Sequence, residues 1–180
     1  MKAAPATPPA APPAEGSSDP LERFFARHQA ELLGTLYYLV GNLEDARDAL
    51  QETFVKCWRH RETAAGVDNL RAWVFRVALN TGRDLRGTAW RRRRRPLAEE
   101  EALPPGREAT PESELARREQ LDLLRAALAA LRPEEQEVFL LRQNGELKYE
   151  EIAAALDIPL GTVKTRMRLA LAKLRTVLAD

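Results

Sequence analysis

The stretch that decides the fold is KYEEIAAALDIPLGTVKTRMRLALAKLR, residues 148–175. The apolar residues of its first part share one face of a short helix. Residues 157–161 then form a corner around Pro159, which cannot continue a helix. A second helix begins near Gly161 or Thr162. Two short helices joined by a tight corner predict a helix-turn-helix.

The second helix of this motif has an apolar face and a basic face. Apolar residues recur at helical spacing and are expected to pack inward: Val163, Met167, Ala170 and Leu174. Lys164, Thr165 and Arg168 face outward, and no acid occurs in residues 161–179. Such a helix can enter a major groove with its N-terminal turns. An ordinary helical hairpin with a solvated basic face is the alternative interpretation.

Composition excludes several classes of protein. The 180 residues, 44% of them hydrophobic, suffice for one large or two small domains. A net charge of +1 argues against a nonspecific nucleic-acid coat, although the charges are strongly segregated along the chain. The single cysteine, Cys57, and two distant histidines give neither a disulfide nor a metal-ligand spacing. Because no stretch resembles a membrane span or a signal peptide, we expect a cytoplasmic protein without metal, cofactor or membrane insertion.

Helical periodicity divides the chain around a proline-rich acidic segment. Residues 1–19, mostly Ala and Pro, predict a disordered tail because they have almost nothing to bury. Helices are predicted before the acidic segment at 20–40, 43–60 and 70–94, with a loop at 61–69 capped by Asp68 or Asn69. Pro111 and Pro133 open two more helices before the helix-turn-helix.

No strand pattern occurs, so the predicted fold is all-α. It comprises two small helical bundles, residues 20–95 and 111–180. The segment 96–110, with three consecutive glutamates, predicts a flexible acidic linker between them.

The third predicted helix carries a basic stripe. Its polar face comprises Arg76, Asn80, Arg83 and Arg86, and its end carries Trp90 followed by five consecutive arginines. This stripe could neutralise several phosphates, and Trp90 is a candidate base contact. A run of arginines is equally typical of a solvated linker.

Three segments, in this order, resemble the extracytoplasmic-function (group 4) sigma factors of the sigma-70 family of bacterial RNA polymerase. They are DARDALQETFVKCW (45–58), LRAWVFRVALNTGRDLRG (70–87), and LRPEEQEVFLLR with YEEIAAALDIPLGTVKTRM (131–142 and 149–167). The resemblance covers about residues 20–178. It implies a factor that binds the polymerase core, through its β′ and β subunits, and directs promoter recognition, DNA melting and initiation. Many relatives are held by an anti-sigma factor, which is therefore a further partner to consider.

The resemblance also implies roles for exposed residues. Three residues on the second helix match positions that grip the β′ clamp helices: Asp48, Gln51 and Glu52. The alternative for this face is a surface helix stabilised by pairs such as Glu52 with Lys56. Asn80 matches a position at the single-stranded −10 element, and residues 61–69 match the segment that forms its base pocket.

The remaining contacts are assigned to the two basic helices. Further −10 contacts are expected at Arg76, Arg83, Arg86 and Trp90. The second bundle would read the duplex −35 element through Thr162, Lys164, Thr165, Arg166 and Arg168. Leu169 and Leu171 depart from the family, which often has arginines there, and outward Leu169 could touch a thymine methyl or a partner protein. Asp157 replaces a frequent corner glycine, which is tolerable because Asp adopts left-handed geometry better than most residues.

Two other functions are compatible with parts of the pattern. One is a dimeric helix-turn-helix regulator that binds an operator, and the other is a helical adaptor that binds proteins only. The adaptor would leave the basic final helix without a partner. We expect no enzyme, because no phosphate-binding loop, activated nucleophile or convergent carboxylate pair stands out.

Overall fold

The computed structural model describes residues 19–92 and 111–178, with the side chains of 88–92 and 111–118 left out. Residues 1–18, the linker and the arginine run at 93–95 therefore lie outside the described residues. Within the described ranges the chain forms helices and no strand, as predicted: α1 Pro20–Val40, α2 Leu43–Arg59, α3 Arg61–Ala65, α4 Leu70–Arg92, α5 Pro111–Ala129, α6 Pro133–Gln143, α7 Tyr149–Leu156 and α8 Leu160–Leu178.

Helices α1, α2 and α4 pack together as the first bundle. Their boundaries follow from capping: the Asp19 carboxylate accepts the Leu21 N–H at 2.7 Å, and the Asn42 amide oxygen accepts the Asp45 N–H at 2.8 Å. Gly41, with φ of 92°, ends α1 in the left-handed conformation. The most deeply buried side chains of this bundle include Leu32, Leu36, Val74, Phe75 and Leu79.

The prediction of a loop over 61–69 is wrong for its first five residues. These residues form the short helix α3, which has Glu62 in its first turn and stops at Gly66. The alanines of this segment favour a helical turn over an open loop. The predicted cap is Asn69, whose amide oxygen accepts the Ala72 N–H at 2.9 Å and so starts α4.

The helix-turn-helix consists of α7 and α8. Its corner residue, Asp157, has φ of 54° and ψ of 51°, the left-handed geometry expected from its side chain. Helix α8 begins at Leu160, one residue before the predicted start. Its buried residues are the predicted inward face: Val163, Met167, Ala170 and Leu174.

The two bundles pack directly against each other. One cluster of buried apolar residues runs from α1, α2 and α4 into α6 and α7, where it includes Val138, Leu141 and Ile152. A smaller cluster lies within the second bundle, around Leu128 and Leu174. None of the described helices is long and apolar enough to cross a membrane.

Candidate nucleic-acid interface

Helix α8 presents its basic face to solvent. Lys164, Thr165 and Arg168 are exposed, whereas Thr162 and Arg166 are half-buried. The exposed residues alternate with the buried Val163 and Met167, so packing of the apolar face fixes the direction of the basic one. This arrangement suits insertion of the helix into a major groove.

The two leucines of α8 have different surroundings. Leu171 is half-buried and packs against the large apolar cluster that joins the bundles. An arginine at that position would have to bury its stem and keep its charge in water. Leu169 is half-buried and belongs to neither apolar cluster of the described residues. Leu171 therefore supports the fold, and Leu169 remains the candidate for contact with DNA or a partner.

Helix α4 presents the second basic face. The residues Arg76, Asn80, Arg83 and Arg86 are all exposed. The Asn80 side-chain oxygen accepts a hydrogen bond from Arg83 Nη1 at 3.1 Å. This bond uses the amide oxygen of Asn80, and the amide N–H groups are donors that a base could use. The side chain of Trp90, predicted as a nucleic-acid contact at the end of this helix, lies outside the described residues.

A cavity of about 490 Å³ lies where the α3–α4 loop meets α7. Its walls are Val67, Asp68, Asn69, Ala72, Trp73 and Arg76 from the first bundle and Glu150, Glu151, Ala154 and Ala155 from α7. Asn69 Nδ2 donates to Glu151 Oε1 at 2.9 Å across this cavity. Trp73 is half-buried at the cavity, whereas Phe75 is fully buried in the core.

A wider cleft, of about 710 Å³, separates the C-terminal part of α4 from α6 and α8. Arg83, Arg86 and Arg166 converge on it from both bundles. Arg83 donates to both carboxylate oxygens of Glu137 on α6. This contact raises the pKa of Arg83, chiefly through the side-chain hydrogen bond to Glu137, so the guanidinium stays charged.

The outer face of α2 is acidic. Asp48, Gln51 and Glu52 are exposed. Val55, which lies three to four residues further along the same face, is 42% exposed and was not among the predicted site residues. Its helical spacing from Gln51 and Glu52 could have predicted that Val55 lies on the same exposed face. A single exposed apolar side chain is common on protein surfaces, so Val55 is of interest only because it shares the face of Gln51 and Glu52.

Lys56 ties this acidic face to α4. Its Nζ lies 2.9 Å from Glu52, 3.6 Å from Asp84 and 3.3 Å from the Thr81 hydroxyl. The hydrogen bond with Glu52 is the main reason that the pKa of Lys56 is raised. The pair of Glu52 with Lys56, which the alternative interpretation of this face predicted, is therefore present. Asp48 and Gln51 remain exposed at the surface.

The described residues offer little for catalysis. They contain no group of three His, Cys, Asp or Glu side chains placed to hold a metal ion. Cys57 is fully buried, and burial raises the pKa of its thiol to about 12, so it remains protonated at neutral pH.

Comparison with known proteins gives matches in both bundles. Residues 24–95 match the family Sigma-70 region 2, and residues 121–174 match Sigma-70, region 4. The chain is 30% identical to RNA polymerase sigma factor YlaC of Bacillus subtilis (strain 168), over 87% of this chain and 91% of that protein. It is 32% identical to ECF RNA polymerase sigma factor SigG of Mycobacterium tuberculosis (strain H37Rv), over 83% of this chain and 46% of SigG, about half the length of that relative.

A solved structure has the same arrangement of helices. The structure of CnrH in complex with the cytosolic domain of CnrY superposes with a TM-score of 0.66 at 27% sequence identity. The match covers 91% of this chain and 90% of that chain.

Proposed function

Because the chain belongs to the extracytoplasmic-function sigma factors of the sigma-70 family, we propose that its three exposed polar faces divide the work of starting transcription. The protein is an alternative RNA polymerase sigma factor, which binds core polymerase and directs promoter recognition, DNA melting and initiation. The assignment of each step to particular residues is our proposal.

The −35 element is read by α8. The observation that carries this assignment is the exposure of Lys164, Thr165 and Arg168 above the buried face of the helix. Long basic side chains can reach base edges and phosphates, and a threonine hydroxyl can bond to either. Thr162 and Arg166, at the same N-terminal half of the helix, complete the contact surface.

The −10 element is held by α4 and the segment before it. Arg76, Asn80, Arg83 and Arg86 form one exposed strip of α4, and Arg76 also lines the cavity at Asn69. The guanidinium groups neutralise the backbone of the opened strand, and Asn80 and the cavity accept a flipped base. We assign Trp90, one further turn along α4, to the same strand.

Core polymerase is bound by the outer face of α2. Asp48, Gln51 and Glu52 supply polar groups for the β′ clamp helices, and Val55 adds an apolar contact one turn further along the same face. The β subunit is a second partner in the core enzyme.

Two further assignments follow from the family. We assign the reaction chemistry to the polymerase and not to this chain, and we place the protein in the cytoplasm, where core polymerase works. CnrH is bound by the cytosolic domain of CnrY in its structure. We propose that an anti-sigma factor likewise binds this chain.

The test is run-off transcription with purified core polymerase on a pool of genomic promoters. Transcripts that require the protein, with start sites that share two spaced upstream elements, support the assignment. The variant Lys164→Ala with Arg168→Ala should then lose initiation and keep core binding. The matched control, Arg27→Ala with Arg175→Ala, removes the same charge from two exposed sites outside the proposed faces and should initiate normally.

The operator-binding regulator makes a different prediction. It requires tight binding of duplex DNA by the isolated protein at a symmetric site. Such binding without any polymerase-dependent transcript would overturn the assignment of the three faces.

A further inference from the structure

Helix α4 carries one acid among the residues to which we assign the −10 contacts. Asp84 is the only acid in residues 70–92, and it directly follows Arg83. It also follows Asn80 by four residues, so the two side chains lie on one face of the helix. The Asp84 side chain is 74% exposed. A carboxylate at this place repels the phosphates of a DNA strand bound along α4, unless a positive group offsets its charge.

Lys56 supplies a positive group from the neighbouring helix α2. Its Nζ lies 3.6 Å from Asp84 Oδ2 and 2.9 Å from Glu52 Oε1. The pKa of Lys56 is raised, chiefly by the hydrogen bond to Glu52, and the charge of Asp84 adds to this effect. The ammonium group therefore stays charged at neutral pH, and it is shared between an acid of α2 and the acid of α4.

A buried hydroxyl fixes the position of this ammonium group. Thr81 is fully buried, and its hydroxyl donates to the Val77 carbonyl at 2.9 Å. Because the hydroxyl proton is used in this bond, the oxygen remains as an acceptor, and it accepts from Lys56 Nζ at 3.3 Å. Thr81 lies three residues before Asp84, so this bond holds Lys56 beside the turn of α4 that carries the acid.

The charge of Asp84 acts on a residue to which we assign DNA contact. The pKa of Arg83 is raised, chiefly by its hydrogen bond to Glu137, and the charge of Asp84 adds to this effect. A negative charge that acts on Arg83 also acts on a phosphate that Arg83 binds. Lys56 offsets this charge without using any donor or acceptor of Asn80 or Arg83.

We propose that Lys56 is a positioning residue of the −10 site: from α2 it holds and neutralises Asp84, so that a DNA strand can lie along α4. This inference rests on the proposed assignment of Asn80, Arg83 and their neighbours to the −10 element. It gives α2 a part in strand binding that is separate from its proposed contact with the core enzyme.

The test is a double-mutant cycle on strand binding by the holoenzyme. Each variant is assembled with core polymerase, purified from unbound protein and titrated into a fluorescein-labelled non-template −10 strand of a promoter identified by run-off transcription. Fluorescence anisotropy gives the Kd. Lys56→Gln should weaken binding about three- to fivefold, the effect of one uncompensated surface charge. Asp84→Asn alone should change the Kd less than about twofold, and it should restore the Lys56→Gln variant to within about twofold of the unaltered protein.

Two alternative roles of Lys56 give different patterns. Direct contact of Lys56 with a phosphate predicts that Asp84→Asn tightens binding by the same factor with and without the lysine. A purely structural tie between α2 and α4 predicts that Asp84→Asn weakens binding by itself and rescues nothing. Either pattern overturns the proposal, as does a Lys56→Gln variant that binds like the unaltered protein.

Controls separate a local effect from net charge and from misfolding. Arg47→Gln removes the same charge from an exposed position on the opposite side of α2 and should change the Kd little. Lys56→Arg keeps the charge and should retain most of the affinity. Thermal unfolding followed by circular dichroism verifies that each variant folds. If Lys56→Gln does not fold, Lys56→Met, which keeps the apolar stem, takes its place in the cycle.

Arg76→Ala with Asn80→Ala distinguishes failure of this inference from failure of the −10 assignment. If this variant weakens strand binding while the cycle shows no coupling, the −10 assignment stands and the role of Lys56 is wrong. If it binds the strand normally, the −10 assignment to α4 is wrong, and the role of Lys56 is wrong with it. Weakened binding together with the expected rescue by Asp84→Asn supports both.

Discussion

Gly82 determines how closely α4 approaches α1. A Cβ atom at this position would lie 2.5 Å from Leu39 Cδ2 and 3.2 Å from Leu36 Cδ2. Both leucines are buried, at 4% and 0% exposure, so they would have to repack to admit a Cβ atom. The absence of a side chain at residue 82 therefore permits the close crossing that positions the exposed strip of α4.

We predict that Gly82→Ala destabilises the protein. Overpacking of a core lowers stability by about 1–3 kcal/mol, and the better helix propensity of alanine offsets at most about 1 kcal/mol of this loss. The matched control is Gly87→Ala in the same helix, where a Cβ meets nothing within 4 Å. Urea unfolding should show a lower free energy of unfolding for Gly82→Ala and a slightly higher one for Gly87→Ala. Equal stability of the two variants would contradict a close crossing at Gly82.

Glu135 joins the start of α6 to α8. The residue is 3% exposed, and its Oε2 accepts from Lys173 Nζ at 2.6 Å and from the Arg132 N–H at 3.0 Å. Burial raises the pKa of this carboxyl, but the hydrogen bonds from Lys173 and Arg132 outweigh it and hold the pKa below the ordinary value of 4.5. A carboxyl whose folded pKa is depressed stabilises the fold above its unfolded pKa.

The stabilisation by Glu135 should therefore disappear in acid. At pH 7 we expect Glu135→Gln to lower the free energy of unfolding by about 1–2 kcal/mol, through loss of charge-assisted hydrogen bonds. This difference from the unaltered protein should shrink as the pH falls below about 4.5, through the folded pKa of the carboxyl. Urea unfolding at several pH values gives the difference directly. Glu134→Gln, at the exposed neighbouring position, should show no such trend, and a constant difference for Glu135→Gln would refute the assigned pairing.

Side-chain chemistry predicted some single positions and not others. The left-handed geometry of Asp157 followed from the sequence, because few residues other than glycine tolerate it. The burial of Leu171 did not follow, since only the three-dimensional neighbours of α8 decide which half-exposed positions meet the apolar cluster. Glu137 gave no signal as a partner of Arg83, because the two are 54 positions apart and periodicity carries no information on such pairs.

At the level of whole elements, helix α2 presents an exposed polar face. Its inner face packs against α1 and α4, while Gln51 and Val55 project outward without a partner in the described contacts. The face combines amide, carboxylate and branched apolar groups over about two turns. Such a mixture suits a protein partner better than DNA, which repels carboxylates.

We predict that Gln51→Ala with Glu52→Ala weakens binding of core polymerase by about tenfold or more. This is the loss expected for a pair that includes a hot spot of the interface, where truncation costs about 2 kcal/mol or more. Fluorescence titration of labelled protein with core enzyme measures this Kd. The matched control is Glu119→Ala with Gln120→Ala, an equivalent exposed pair of neighbours on α5. Equal weakening by both pairs, or none by the first, would remove α2 from the interface.

Element boundaries were predicted well wherever a cap or a breaker marks them. Asp19, Asn42 and Pro133 set helix starts within a residue of the prediction. Helix α3 was missed because five residues are too few for periodicity to reveal a buried face. The outward faces of α2, α4 and α8 were predictable for the opposite reason, since each helix is long enough to repeat its pattern several times.

The arrangement of the whole molecule was the least predictable feature. The acidic, proline-rich segment predicted separate bundles, and the family matches fall on either side of it. The observed contact between the bundles combines a shared apolar cluster with polar pairs such as Asn69 with Glu151. Each residue in this contact is also an ordinary surface or core residue of its own bundle. The sequence of one bundle therefore does not predict which of its residues will contact the other bundle.

We predict that the free protein is compact and that its compactness resists salt. The apolar cluster between the bundles is insensitive to ionic screening, and the pair of Arg83 with Glu137 is partly shielded from solvent. The radius of gyration from small-angle scattering should be unchanged between about 0.05 M and about 0.5 M salt. Arg71→Gln, which removes contacts to two carbonyls across the interface, should increase it. Expansion of the unaltered protein in high salt would indicate that charge alone holds the bundles together.

The tryptophans of the chain provide an intrinsic fluorescence signal. All three tryptophans, at positions 58, 73 and 90, belong to the first bundle, and none belongs to the second. Trp73 lines the cavity of which α7 forms one wall. When α7 departs, water reaches the indole and its emission moves to longer wavelength. Separation of the bundles can thus be followed in real time, without dye or label, during titration with any ligand that lacks tryptophan.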